Sequence, residues 1–251
     1  MNALVIEPRF CGPPGSGNGG YVCGRLAQHL DGPAEITLRR PPPLATPMTV
    51  QHSGDGLVLV LDGDTVVAEG RRAPLTLPVT VPEAISIADA RTAGARSMLR
   101  IHPQTNPFPT CFVCGPDRRP GDGLRIMVGP VAGRSVAADV WYPDESLADG
   151  YGCVRPEFLW AALDCAGGVG ALTEAAANDQ AFVLGRFAVR QLEPVQPGKP
   201  YVVSGWRVGV GGRKLTAGSA VFDAAGRPVG VACATWIQLR ADLMVRSAAT
   251  A

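Results

Sequence analysis

The sequence predicts an α+β fold in which two similar halves, each with one long helix and several antiparallel strands, share a single sheet. First, the chain has 251 residues, of which 46% are apolar and 18% charged, which suits two small units with a common core. Second, the same order of elements occurs twice, as in a duplicated chain. Third, consecutive strands are joined by short turns, so parallel crossover units are not expected.

The first copy occupies residues 1–80. Apolar residues at helical spacing predict a helix over Asn18–Leu30, after a Gly/Pro-rich loop. Asp31-Gly32-Pro33 ends this helix. Asp55-Gly56 and Asp62-Gly63 are typical of hairpin turns. The predicted strands are Ala3–Ile6, Ala34–Arg40, Pro47–His52, Gly56–Leu61 and Thr65–Glu69.

The second copy occupies residues 111–240. Its helix is predicted over Arg155–Ala176, with Pro156 in the first turn. Gly211-Gly212 and Ala225-Gly226 predict hairpin turns between its later strands. The predicted strands are Leu124–Val128, Ser135–Tyr142, Ala181–Leu192, Lys199–Val210, Arg213–Asp223 and Pro228–Leu239.

The remaining segments are a linker, residues 81–110, and a flexible tail, residues 241–251. The linker is predicted to contain a helix over Val81–Arg100 that starts at Pro82. One helix and one sheet in each half bury only a single layer, so the halves are expected side by side. The predicted architecture therefore has two long central helices wrapped by one continuous antiparallel sheet.

Composition excludes several classes of function. The net charge is +1 and no face carries a basic stripe, which argues against a nucleic-acid partner. No apolar run approaches the roughly 20 residues that cross a membrane, so no membrane partner is expected. The N-terminus has no basic segment typical of a signal peptide, and we therefore expect a cytoplasmic protein.

Seven cysteines are scattered along the chain, an odd number without the spacing of a disulfide framework. Cys111 and Cys114 form the single CxxC pair. A zinc site usually combines two such pairs or one pair with spaced histidines, and neither pattern is present. The sequence analysis therefore favours two partly buried thiols in a turn and predicts neither a metal site nor a cofactor.

Several motifs resemble hotdog-fold thioesterases. Asn18-Gly19-Gly20-Tyr21 resembles the helix start of acyl-CoA thioesterase-like hotdog proteins, and Cys111–Arg125 resembles the opening segment of phenylacetyl-CoA-type thioesterases. Phe158–Asp164 resembles their catalytic helix, which carries a carboxylate. Ala234–Gln238 is similar to the last strand of type II acyl-CoA thioesterases, a double-hotdog family. The resemblance implies a tandem (double) hotdog and a functional glutamine at Gln238.

The chain departs from this pattern in three places. Asn18 stands where many relatives have histidine, and Arg155-Pro156-Glu157 replaces a His-Gly-Gly helix start. Counting back from Gln238, the active-site threonine of the type II family falls on Ala188. A complete type II triad is therefore absent.

Alignment of the two predicted helices divides the catalytic parts between the halves. Asp164 lies nine residues after Arg155, whereas Ala27 occupies the equivalent place after Asn18. The first half therefore supplies Gly19 and Gly20, whose amides are free to hold an oxyanion, and the second half supplies the carboxylate. In dimeric hotdog enzymes, as the resemblance implies, these parts come from opposite subunits. We predict one site per chain, with the acyl chain in a slot between the two helices.

Each candidate residue also has an ordinary structural interpretation. Asp164 could satisfy a polar spot beside Gly167-Gly168, although its helix is mostly apolar. The glycine pair could be a tight helix start, and Asn18 an N-cap. Gln238 could be an exposed strand residue. Cys165, next to Asp164, is expected to be a small core thiol.

The leading hypothesis is an acyl-thioester hydrolase that acts on acyl-CoA or acyl-carrier-protein substrates by Asp-assisted water attack. Arg186 and Arg190 are candidate ligands for the phosphates of coenzyme A, or simply a solvated strand face. The alternative is a non-catalytic acyl-CoA or lipid-binding protein. Open edge strands further predict a homodimer.

Overall fold

The computed structural model describes residues 3–172 and 181–239. In these ranges the strands form one antiparallel sheet in the order β1-β3-β4-β5-β2-β8-β11-β10-β9-β7-β6. The strands are β1 Ala3–Leu4, β2 Ala34–Leu38, β3 Met48–His52, β4 Val58–Asp62, β5 Thr65–Arg72, β6 Gly129–Pro130, β7 Ala137–Trp141, β8 Phe182–Gln191, β9 Tyr201–Gly211, β10 Lys214–Phe222 and β11 Pro228–Gln238. The predicted continuous sheet is confirmed.

The two halves of the sheet join where β2 pairs with β8. Ala34 pairs with Val189, and Ile36 pairs with Phe187. Every strand on one side of this seam comes from the first half, and every strand on the other side comes from the second. The predicted hairpin turns are present, and Gly56, Gly63, Gly212 and Gly226 adopt positive φ angles at them.

Four α-helices accompany the sheet in the described ranges: α1 Gly19–Ala27, α2 Ile87–Ala95, α3 Met98–Ile101 and α4 Pro156–Leu172. Only α4, with 17 residues, is the long helix that the sequence predicted, because α1 has 9. Leu30 fits the helical spacing but follows α1 in a turn, where its amide bonds to Ala27 and its side chain packs on the core. The predicted end of α4, residues 173–176, lies outside the described residues, as does the predicted tail.

Two other sequence predictions are wrong in detail. The linker helix begins at Ile87 rather than Pro82, because Ser86 caps it by accepting the Asp89 amide, and it stops at Ala95. The segment 124–128 is not a strand of the sheet. Its amides bond to the CxxC turn instead, from Leu124 to the Phe112 carbonyl and from Ile126 to the Val113 carbonyl.

The sheet separates two apolar layers. On its inner face, α1 contacts β2 and β8 while α4 contacts β7 to β11, and together they form the main core. On its outer face, the linker and α2 cover a second core that includes Ala93, Val202 and Phe222. The edge strands β1 and β6 have two residues each, and such short edges limit pairing with other chains. The homodimer remains a prediction.

Within the described ranges, none of the helices combines the length and the apolar character needed to cross a membrane.

Candidate functional site

The inner helices α1 and α4 run antiparallel and touch through glycines. A Cβ atom at Gly20 would lie 2.7 Å from the Trp160 carbonyl oxygen, and one at Gly24 would lie 2.6 Å from Glu157 Cα. Contacts this close require a residue without a side chain. The two helices are therefore in direct contact at these two points, and the acyl slot between them stays a prediction. These contacts also bring the first turn of α1 against the middle of α4.

Asp164, in the middle of α4, bonds directly to the start of α1. Its Oδ2 atom accepts the Gly20 amide at 2.8 Å and the Asn18 side-chain amide at 3.2 Å. Asp164 is 2% exposed. A buried carboxylate is costly unless donors compensate it, and here the donors come from the other half of the chain. The structure thus brings Asp164 and Gly20 into direct contact.

Asn18 holds this arrangement in place. Its Oδ1 atom accepts the Tyr21 amide at 2.9 Å and so caps α1, while its Nδ2 atom donates to Asp164. Asn18 is 2% exposed. The N-cap interpretation and a role beside the carboxylate therefore apply to the same side chain.

The two oxygens of Asp164 differ. Oδ1 is buried and has no hydrogen-bond partner in the described residues. Burial raises the pKa of Asp164 to about 7, the Gly20 amide and Asn18 oppose this rise, and the neighbouring Cys111 adds to it. A buried acceptor without a donor calls for an explanation, and a proton or a water molecule would supply one.

Three buried thiols surround the same point, and we call them with Asn18 and Asp164 the helix-start node. Cys111 and Cys114 belong to the CxxC turn and Cys165 follows Asp164 on α4. Their three sulfur atoms lie within 4.8 Å of one another, and Cys111 Sγ is 3.7 Å from Cys165 Sγ. Hydrogen bonds from the Cys114 and Cys165 thiols hold the pKa of Cys111 well below its ordinary value. The thiols are buried rather than partly buried as predicted.

Sequence reasoning missed the third member of this group. Cys165 lies 54 positions after Cys111 and was interpreted as a core thiol, because nothing near it in sequence suggested a partner. The available signal was its place next to Asp164, a candidate site residue, on the predicted second helix.

The other glycine of the predicted pair has an apolar environment. A Cβ atom at Gly19 would lie 2.9 Å from Leu184 Cβ and 3.3 Å from Leu38 Cδ1. Gln238, the last residue of β11, donates its backbone amide to the Arg213 carbonyl, and its own carbonyl accepts from the Arg213 guanidinium at 2.8 Å. It pairs with Phe182 of β8. Gln238 has no hydrogen bond to the helix-start node among the described residues.

The predicted phosphate ligands lie on the other face of the sheet. Arg186 donates to Thr37 at 3.3 Å, and Arg190 donates to the carbonyl of Leu75, which follows β5, at 2.9 Å. Ala188, between them on the same face of β8, belongs to the outer core. Neither the arginines nor the position matched to the type II threonine therefore faces α1 or α4.

The whole chain shares its fold with thioesterase structures. The tesB protein of Mycobacterium avium subs paratuberculosis superposes with a TM-score of 0.57 and 12% identity, covering 95% of this chain and 92% of that one. An acyl-CoA thioesterase II, TesB2, from Mycobacterium marinum gives 0.57 and 12%, covering 88% of each chain.

The sequence comparisons found no match: no protein-family model and no curated protein matches the chain. At such identities the likeness shows the fold alone. Along nearly its whole length, the chain has the fold of thioesterase II structures.

Proposed function

We propose that the two halves are two hotdog units and that the chain hydrolyses acyl thioesters, with acyl-CoA or an acyl carrier protein as the thiol component. The proposal rests on one observation, the pairing of Asp164 from the second half with the Gly20 amide from the first. This pairing supports the proposal because thioester hydrolysis needs a general base and an oxyanion donor close together, and a carboxylate and a helix-start amide lie 2.8 Å apart here. The fold neighbours named tesB and acyl-CoA thioesterase II support the same reaction class.

In the proposed reaction the thioester carbonyl oxygen takes the place of Asp164 Oδ2 as acceptor of the Gly20 amide. Asp164 then accepts a proton from a water molecule while the water oxygen bonds to the carbonyl carbon. The amide donates to the oxyanion that forms. The tetrahedral intermediate collapses as the C–S bond breaks, and the leaving thiolate takes up the proton. The products are a carboxylic acid and a free thiol.

A second candidate function is non-catalytic binding of an acyl thioester, and one observation favours it. The Gly20 amide already has an acceptor in Asp164, and both partners of Asp164 are buried, so the reaction requires an exchange of hydrogen bonds at a closed site. A structural carboxylate needs no such exchange. The two candidates differ in whether thiol is released.

The test is release of free coenzyme A from a panel of acyl-CoAs and of free carrier protein from acyl carrier proteins. Products are separated chromatographically, because the seven cysteines would react with thiol reagents. Asp164→Asn should lower kcat by about 100-fold to 10,000-fold, the usual contribution of a general base. Glu157→Gln, a buried carboxylate at the start of α4, should leave kcat nearly unchanged.

Two results would contradict hydrolysis. In the first, the native protein binds a long-chain acyl-CoA in calorimetry but releases no coenzyme A, which establishes the binding module. In the second, Asp164→Asn remains folded by circular dichroism and keeps the native kcat, which removes the carboxylate from the reaction.

A further inference from the structure

The three thiols of the helix-start node have the spacing of metal ligands. In a tetrahedral site with zinc–sulfur bonds of about 2.3 Å, neighbouring sulfurs lie about 3.8 Å apart. Cys111 Sγ and Cys165 Sγ are 3.7 Å apart, and Cys114 Sγ completes a triangle whose sides are all within 4.8 Å. The 3.7 Å between the sulfurs of Cys111 and Cys165 is too long for a disulfide bond, and all three cysteines are free thiols.

The CxxC turn is built to hold its sulfurs in place. The Gly115 amide donates to the Cys111 carbonyl at 2.9 Å, and a Cβ atom at Gly115 would lie 2.5 Å from that oxygen, so the turn requires glycine. Phe112 and Val113, between the cysteines, are both fully buried. Phe112 also donates its amide to the Cys11 carbonyl at 2.8 Å. The turn is therefore fixed on several sides before any ligand binds.

The sulfurs act as hydrogen-bond acceptors. The Asn18 side-chain amide lies 3.8 Å from both Cys111 Sγ and Cys165 Sγ. Donors directed at cysteine sulfur are the outer contacts that metal-bound thiolates typically have, and they orient the ligands.

The node also contains an unpartnered polar atom. Asp164 Oδ1 is buried and has no donor among the described residues. Three thiolates fill three of the four positions of a tetrahedral ion, and a water molecule in the fourth is a donor of the kind that this oxygen lacks. This observation is independent of the sulfur spacing. The Asn18 side-chain amide that donates to Asp164 Oδ2 also lies 3.8 Å from the sulfurs of Cys111 and Cys165, which places the carboxyl group beside the thiols.

We propose that Cys111, Cys114 and Cys165 bind one thiophilic divalent cation, zinc by its ligand preference, and that this ion ties the CxxC turn to α4 beside Asn18. Three buried thiolates select a soft or borderline ion over magnesium or calcium. The site would join residues 54 positions apart in sequence. The metal proposal does not depend on the proposed hydrolysis, because a structural ion would be bound whether or not the helix-start node is catalytic.

The test starts from the full chain purified under reducing conditions. Elemental analysis should find about one zinc ion per chain. Cobalt(II) added to the reduced, metal-free protein should give the near-ultraviolet thiolate charge-transfer band and the intense visible bands of tetrahedral coordination. Zinc(II) should displace it. Neither measurement needs a substituted protein.

Substitutions assign the site. Cys111→Ala, Cys114→Ala and Cys165→Ala should each weaken zinc binding by more than about 100-fold, since loss of an outer-shell partner alone costs 10–100-fold. Cys23→Ala, a fully buried thiol in the same core, is the matched control and should bind zinc as the native chain does. Circular dichroism checks that each variant is folded.

Three results would overturn the proposal. The reduced native chain takes up neither zinc nor cobalt at micromolar concentration, or cobalt binds without a thiolate band. Alternatively, Cys165→Ala stays folded and binds zinc with native affinity, which would remove α4 from the site.

Discussion

The start of α1 and the start of α4 occupy equivalent positions in the two halves, yet they meet the opposite helix in different ways. At the start of α1, the Gly20 amide itself donates to Asp164 of α4. At the start of α4, Glu157 occupies the position equivalent to Gly20, and its side chain accepts from the side-chain amide of Gln28, which directly follows α1, at 2.8 Å. The first contact joins backbone to carboxylate and the second joins two side chains.

The two junctions also differ in how their carboxylates are paired. At the second junction Glu157 has a donor in Gln28 and lies 3.8 Å from the Arg155 guanidinium, whose carbon stacks over the Phe158 ring. At the first junction, Gly20 has no side chain, and its buried backbone amide donates directly to the Asp164 carboxylate.

The largest effect is expected when one methyl group is added at each of the two close contacts between α1 and α4, and this change tests whether the two junctions differ. Gly20→Ala and Gly24→Ala both place a Cβ atom against the backbone of α4, so each should lower the free energy of unfolding by about 1–3 kcal/mol. Gly20→Ala should also lower kcat, because it displaces the amide from Asp164. Gly24→Ala should leave kcat of the folded fraction close to native. Urea unfolding and steady-state hydrolysis measure the two effects.

Gly54→Ala provides the control, because a Cβ atom there meets open space. Its unfolding midpoint should stay within experimental error of the native value. Equal losses of kcat in Gly20→Ala and Gly24→Ala would mean that the two helix crossings do not differ in the way proposed.

A smaller effect on stability is expected from replacing the amide side chains at the two junctions, Asn18 at the first and Gln28 at the second. Asn18→Ala removes the cap of α1 and one of the two donors to a buried carboxylate, and should cost about 1–2 kcal/mol of unfolding free energy. Gln28→Ala removes one hydrogen bond to Glu157 and should cost about 0.5–1.5 kcal/mol. Chemical denaturation compares them directly. A cost for Gln28→Ala greater than that for Asn18→Ala would contradict the idea that the first junction carries the more demanding polar group.

The repeated architecture was predictable because it depends on local signals. Glycine at hairpin turns, apolar periodicity and Pro156 in a helix first turn are all visible in a short window, and they led to the continuous sheet and its division into halves. The pairing of Asp164 with Gly20 was also predictable. The alignment of the two helices showed that only the second half has the carboxylate and only the first has the glycine pair, and the resemblance to dimeric hotdog enzymes implied that the two parts meet across the halves.

The sequence analysis failed where distant segments or opposite faces decide the outcome. The thiol of Cys165 reaches the CxxC turn only through the packing of α4, which no local pattern encodes. The linker helix is shorter than the predicted one, because its N-cap is Ser86, about one turn after the predicted start at Pro82. On β8, alternation determines which residues face the helices, and the residue count back from Gln238 did not determine the face of Ala188.

That alternation leads to the prediction with the smallest expected effect. Arg186 and Arg190 share the outer face of β8 with Ala188, and Phe187 and Val189 between them pack on the inner core. Because both arginines are exposed there, Arg186→Ala and Arg190→Ala should each change the free energy of unfolding by about 0.5 kcal/mol or less. KM for acyl-CoA should stay within about twofold of native. A tenfold rise in KM with unchanged kcat would show that coenzyme A extends across the outer face, and it would restore both arginines as phosphate ligands.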